Sequence, residues 1–210
     1  VPYKKMKSLE FVLCTADTQK LMHTAAGKPN ELLITALVRA VKKLYGINPI
    51  CIDIEGHGRD VLPAADVSRT MGWFTNLYPI CLHLDTDDLL TQIQEVQAQL
   101  KRYEGKEAEY GILRYIKNIL SANEKHIRLN YLGEYTEADN ECFTVHQLFC
   151  ENDNNPDNTV PFLIDINAVV LSKKLHVHIS YNEDFQKTIA NFAACYKKTI
   201  LEVAACMERH

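Results

Sequence analysis

The sequence predicts a mixed α/β fold, an α+β arrangement in which one sheet is covered by helices. Three observations predict it. Ile50, Ile52 and Ile54 alternate with Cys51, Asp53 and Glu55, the period-two pattern of a strand with one apolar face. Leu33, Leu37, Ala40, Val41 and Leu44 recur at helical spacing, as do Phe185, Ile189, Phe192, Tyr196, Ile200, Val203 and Met207 near the end of the chain. The order of such segments is irregular, which fits a mixed sheet better than a regular doubly wound one.

In chain order, Leu9–Thr15 is a short apolar run and a predicted strand. Pro29-Asn30 precedes the first predicted helix, and Gly46 is placed to end it. The strand beginning at Ile50 puts Asp53 and Glu55 on the face opposite its isoleucines, and Gly56 and Gly58 allow a sharp loop after it. Trp73–Leu84 is a second predicted strand of this region, with Phe74, Tyr78, Ile80, Leu82 and Leu84 on one side. Pro79 marks it as an edge or a bulge. Leu89, Ile93, Val96 and Leu100 predict a second helix, and Tyr110–Leu120 a third. Ile127–Leu132 is strand-like and stops at Gly133. The acidic segment Glu134–Glu141 and the polar run Glu151–Asn158 have the composition of exposed loops. Val160–Ile166 and Leu175–Tyr181 both alternate and predict a hairpin, followed by the long terminal helix.

Composition narrows the function classes. A net charge of −4 argues against a nucleic-acid surface, which needs clustered Lys and Arg. There is no run of about eighteen apolar residues, so no membrane span is expected. The chain opens on Val1 without a secretory pattern or an initiator Met, which suggests a piece of a longer cytoplasmic polypeptide. The seven cysteines are odd in number and form no CxxC pair, so buried free thiols are expected and zinc is not.

The densest chemistry lies at Glu55-Gly56-His57-Gly58-Arg59 and at Met71-Gly72-Trp73-Phe74-Thr75-Asn76-Leu77-Tyr78-Pro79. A carboxylate at a strand end suits acid–base work, although the residues alone also allow a structural ion pair of Glu55 with Arg59 or Arg69. His57 is placed either to orient Glu55 or to hydrogen-bond the loop backbone. Arg59 is expected to pin the loop by pairing with a carboxylate such as Asp66. Gly56 and Gly58 also admit a phosphate cradle, but a lone GxG without a following helix is a weak signal. Asn130 and Tyr131 end a strand as a polar pair. Trp73 and Phe74 are expected to pack, flooring a cleft, and His176 and His178 to be solvated rather than to bind metal.

These motifs resemble the C-terminal half of an epimerization domain of nonribosomal peptide synthetases, within the condensation-domain superfamily. EGHGR matches Glu55–Arg59. TVGWFTxxYP matches Thr70–Pro79 with Met71 in place of Val, and FNYLG matches Leu129–Gly133 with Leu129 in place of Phe. Ser180-Tyr181 and His210 also fit, so the resemblance covers essentially residues 1–210. Two motifs depart from it. Only Tyr110-Gly111 survives of PxxGxGYG, and HHxxxDG, which belongs to the N-terminal half, is absent.

The resemblance implies a chloramphenicol-acetyltransferase-like half domain that inverts Cα of an aminoacyl or peptidyl thioester. The substrate would arrive on the phosphopantetheine arm of a peptidyl carrier protein, with no cofactor bound directly. Glu55 would be one acid/base, with Asn130 and Tyr131 assisting at the enolate or thioester oxygen. The opposite acid/base would come from the missing N-terminal half. Half of an amide-forming condensation domain and a non-catalytic carrier-docking scaffold are the alternatives. EGHGR disfavours the former, and the degraded glycine motif keeps the latter open.

Overall fold

In the computed structural model, which describes residues 2–22, 27–59, 66–120, 127–135 and 155–207, the elements follow in the order β1 (Met6–Val12), α1 (Thr15–Met22), α2 (Pro29–Tyr45), β2 (Ile50–Gly56), β3 (Asn76–Leu82), α3 (Leu89–Leu100), α4 (Glu109–Gly111), β4 (Ile127–Tyr135), β5 (Ile164–Leu171), β6 (Lys174–Asn182) and α5 (Ile189–Met207). The six strands form one mixed sheet in the order β1-β6-β5-β4-β2-β3. β2, β4 and β5 run parallel as neighbours, and antiparallel pairs flank them on both sides.

The alternation in β2 does what its pattern dictates. Ile50, Ile52 and Ile54 enter the core, where Ile166, Val177, Ile179 and the helices meet them. Each such side chain contributes roughly 1.5–3 kcal/mol relative to exposure. α2 packs against α5, α3 and α1, and its apolar run is buried almost all round. The Glu31 carboxylate accepts from Lys28 N–H at 3.2 Å at its start. Gly46, at φ +66°, closes its end by donating to the Lys42 carbonyl at 3.0 Å. Two hydroxyls of α5 clamp α2: Tyr196 donates to the Leu33 carbonyl at 3.3 Å and Thr199 to the Ala36 carbonyl at 2.8 Å. Burial raises the Tyr196 pKa and so keeps that phenol neutral.

Several expectations shift. The first strand is Met6–Val12, not Leu9–Thr15, because Thr15 opens α1. That helix is weakly patterned and buries only Thr18 and Leu21, so its periodicity is faint. Residues 73–75 do not join β3, because they fold back over the loop after β2. Pro79 does sit on an edge strand. Tyr110–Leu120 is not one regular helix: α4 is a single turn that passes into a π-helical turn, Ile112–Ile116. The hairpin's first strand runs Ile164–Leu171 rather than Val160–Ile166. Val169 and Val170 are both buried, so alternation is lost where the strand continues. Ser172 and Lys173, at φ +48° and +63°, make its two-residue turn. Phe185 lies in a separate 3₁₀ turn before α5.

The cysteines are not all free thiols. Cys51 and Cys81 stand opposite each other on β2 and β3, with Cα atoms 4.1 Å apart, and are joined in a disulfide. Cys206 is a buried free thiol as expected, Cys195 is half-buried and Cys14 is exposed. Cys142, Cys150, His210, residues 136–141 and residues 151–154 lie outside the described residues. No described helix is long and apolar enough to cross a membrane.

Candidate active site

The site forms because three neighbouring strands run parallel and in register. Asp53 of β2 stands beside Arg128 of β4, and Arg128 beside Asp165 of β5. Alternation therefore turns Glu55, Arg128, Asn130 and Asp165 to the same face, away from the isoleucine core. Arg128 grips Asp165 with both arms of its fork: Nε donates to Oδ1 at 2.6 Å and Nη2 to Oδ2. Its Nη1 donates to Glu55 Oε1. Asn130 Nδ2 donates to Glu55 Oε2 at 2.8 Å. The ring of Phe162 lies 4.3 Å from the guanidinium carbon, a cation–π contact.

The three charged side chains retain 18% (Glu55), 21% (Arg128) and 15% (Asp165) of their exposure, so they are sheltered without being sealed. Burial opposes the Arg128 charge. The Asp165 hydrogen bonds and the charges of Asp165 and Glu55 outweigh it and hold the guanidinium pKa above its usual value. Each carboxylate oxygen of Glu55 accepts one of these bonds, and a carboxylate has about four acceptor positions. Lone pairs therefore remain for a proton.

Glu55 also lines a cleft of about 660 Å³ at the ends of β2 and β4, with Glu31, Trp73, Tyr78, Asn130 and Tyr131 among its walls. That volume suits a small organic group.

Of the residues selected from the sequence, the structure brings Glu55 and Asn130 into contact. Tyr131 shares the cleft but points to the other face of β4, where its hydroxyl donates to Met22 Sδ at 3.3 Å. Burial, then the Glu134 charge, raises its pKa. His57 is exposed, and its Nδ1 accepts from Arg59 N–H at 3.1 Å, so it braces loop backbone. The cation that Glu55 pairs with is Arg128, not Arg59 or Arg69.

Arg59 pins the loop, but through carbonyls rather than through Asp66. Its Nη1 donates to Val67 O at 2.7 Å and Thr70 O at 3.0 Å, and Phe74 lies 4.5 Å beneath it. Asp66 instead accepts from Ser68 N–H at 3.0 Å. Gly58 has φ +68°, and a Cβ there would stand 1.7 Å from the Phe74 carbonyl oxygen. Gly56 lies under the Asn76 amide, whose buried nitrogen and oxygen have no hydrogen-bond partner among the described residues. Trp73 is 90% exposed at the cleft mouth, so it does not pack as expected, whereas Phe74 packs under Arg59 but does not floor the cleft. His176 is half-buried and bonded to Glu10 at 2.8 Å rather than solvated, and no metal-binding cluster occurs among the described residues.

Arg128, Asp165 and Phe162 escaped the sequence reading. Their signal was present: Arg128 and Asp165 are charges that interrupt apolar strands.

Tyr78, on the cleft wall, has its pKa pushed up to about 12 by burial and then by the Glu107 charge. The folded state binds this proton more tightly than the unfolded chain does. The contribution is thus complete below about pH 10 and is lost as pH rises toward 12. Tyr78→Phe is expected to flatten the loss of urea-unfolding stability across that window relative to the unaltered chain.

The Condensation domain family model matches residues 4–209. Gramicidin S synthase 1 of Brevibacillus brevis is 33% identical over 95% of the chain, which spans 20% of that protein. Tyrocidine synthase 2 of Brevibacillus parabrevis is 33% identical over 98% of the chain, which spans 6% of it. Among solved structures, the epimerization domain from the third module of tyrocidine synthetase B superposes with a TM-score of 0.82 at 30% identity. The match covers 98% of this chain and 49% of that one. The first condensation domain of the CDA synthetase superposes at 0.66 with 12% identity, covering 95% of this chain and 45% of that one, and shares the fold.

Proposed function

The chain belongs to the condensation-domain family of nonribosomal peptide synthetases, and from that premise we propose that it forms the C-terminal half of an epimerization domain. Its substrate is an aminoacyl or peptidyl thioester on the phosphopantetheine arm of a peptidyl carrier protein. The observation that carries this reading is Glu55, held by Arg128 and Asn130 at the wall of the cleft. The 30% identity to an epimerization domain, against 12% to a condensation domain, also supports it.

In this mechanism the Glu55 carboxylate takes the Cα proton from one face. The electron pair moves onto the thioester carbonyl oxygen and forms an enolate. An acid on the opposite face, from the preceding half of the domain, returns a proton to Cα. Asn130 has one N–H on Glu55, and its second is available to the enolate oxygen. Tyr131 is more distant from Glu55's face, and its role is to close the cleft wall.

The test uses the complete domain and an L-aminoacyl carrier protein with deuterium at Cα. Loss of label to solvent with appearance of the D-form is expected. Retained label together with amide formation on a second carrier-bound amine would replace this reading with a condensation one. Retention of label without any product would leave a docking scaffold. The 210 residues alone are expected to give no turnover, because one acid/base is supplied from outside them.

A further inference from the structure

We propose that Asp165, which does not touch the substrate cleft, is a positioning residue for Glu55 and acts through Arg128. The inference rests on the acid/base reading of Glu55 and extends it to a residue two strands away.

The geometry is that of a planar fork fixed at one end. Asp165 takes Nε and Nη2 of Arg128, the paired edge of the guanidinium. The Phe162 ring lies 4.3 Å from the guanidinium carbon and limits its movement on that side. With two directions set, Nη1 has one place to point, and that place is Glu55 Oε1. The other oxygen is set by Asn130 from the same strand as Arg128. Glu55 thereby receives one N–H on each oxygen rather than a bidentate grip.

The charge count leads the same way. Two carboxylates share one guanidinium, so Glu55 keeps a net negative charge in its surroundings even with a cation alongside. Without Asp165, Arg128 is free to turn its paired edge on Glu55, cover both oxygens and cancel the charge that must attract a proton. A structural ion pair between Arg128 and Asp165 would need none of this alignment with Glu55.

The experiment is a double-mutant cycle in the synthetase polypeptide carrying these residues, read as Cα-deuterium exchange on the L-aminoacyl carrier protein. Asp165→Asn keeps the shape and removes the charge. It is expected to lower kcat about 10- to 100-fold, the scale of a small misplacement of a reacting group, with KM for the carrier substrate within about twofold. In a Glu55→Gln background the same change is expected to add less than about twofold, because the residue it positions is already disabled. Arg128→Lys keeps a charge but loses the fork. It is expected to behave as Asp165→Asn does, and it carries the comparison if Asp165→Asn does not fold. Equal losses in both backgrounds, or a change in KM with kcat intact, overturn the proposal. Full exchange in Glu55→Gln alone removes the parent reading, and the proposal with it, and is distinguishable from both.

Discussion

Glu55→Gln is expected to lower Cα-deuterium exchange on the carrier-bound substrate by about 10²–10⁴-fold, the usual worth of a positioned acid or base. The loss is expected in kcat, since binding of the carrier arm does not require the charge. The substitution is close to isosteric. Its remaining oxygen can still accept from Arg128, and Arg128 keeps its bidentate partner in Asp165. No charge is left without a counter-charge, so the stability cost is expected to be about 1 kcal/mol, the size of one ordinary hydrogen bond. Comparison of thermal melting with exchange rate separates the two effects: a melting point lowered by only about 2–4 °C beside a large rate loss is the expected result. A variant with unaltered exchange would remove Glu55 from its role.

Gly58→Ala is the second large effect. A side chain at φ +68° is strained for any L-residue, and here the new Cβ would stand 1.7 Å from a backbone oxygen, that of Phe74. Neither partner is a flexible side-chain end, so the loop must move. Movement there dislodges Arg59 from the carbonyls of Val67 and Thr70 and breaks its contact with Phe74. A cost of roughly 2–4 kcal/mol is expected from the strain and the lost contacts together. It is measurable as a drop in the urea midpoint, accompanied by loss of exchange activity because the loop follows Glu55 directly. Gly46 provides the contrast. It also has positive φ, but open space surrounds its absent Cβ, so Gly46→Ala carries only the smaller conformational penalty.

The parts of this molecule that were legible in the sequence are those where one local rule suffices. Ile50–Ile54 alternate because one face of β2 is core, and Glu55 follows on the other face by the same rule. Gly46 ends α2, and Pro79 marks an edge. What was not legible depends on neighbours distant in the chain. Arg128 and Asp165 are 37 residues apart and meet only because β4 and β5 pair in parallel register. Cys51 and Cys81 are joined across 30 residues by the β2–β3 register, which no spacing rule announces. Trp73 was expected to pack at a cleft floor because it is aromatic and near a strand, yet it stands in the open at the cleft mouth. Tyr131 looked like a companion of Asn130, but adjacent residues of a strand face opposite ways, and that rule sends its hydroxyl to Met22.

The central claim is that Glu55 works on one face of Cα only. Solvent-deuterium incorporation, begun separately from the L- and the D-aminoacyl carrier protein in the Glu55→Gln domain, tests it most directly. Asymmetry is expected: the L-form, whose Cα proton Glu55 removes, no longer exchanges, while the D-form still exchanges through the acid/base on the opposite face, and neither is inverted. Equal exchange from both enantiomers in the variant, whether at full rate or equally reduced, would contradict it.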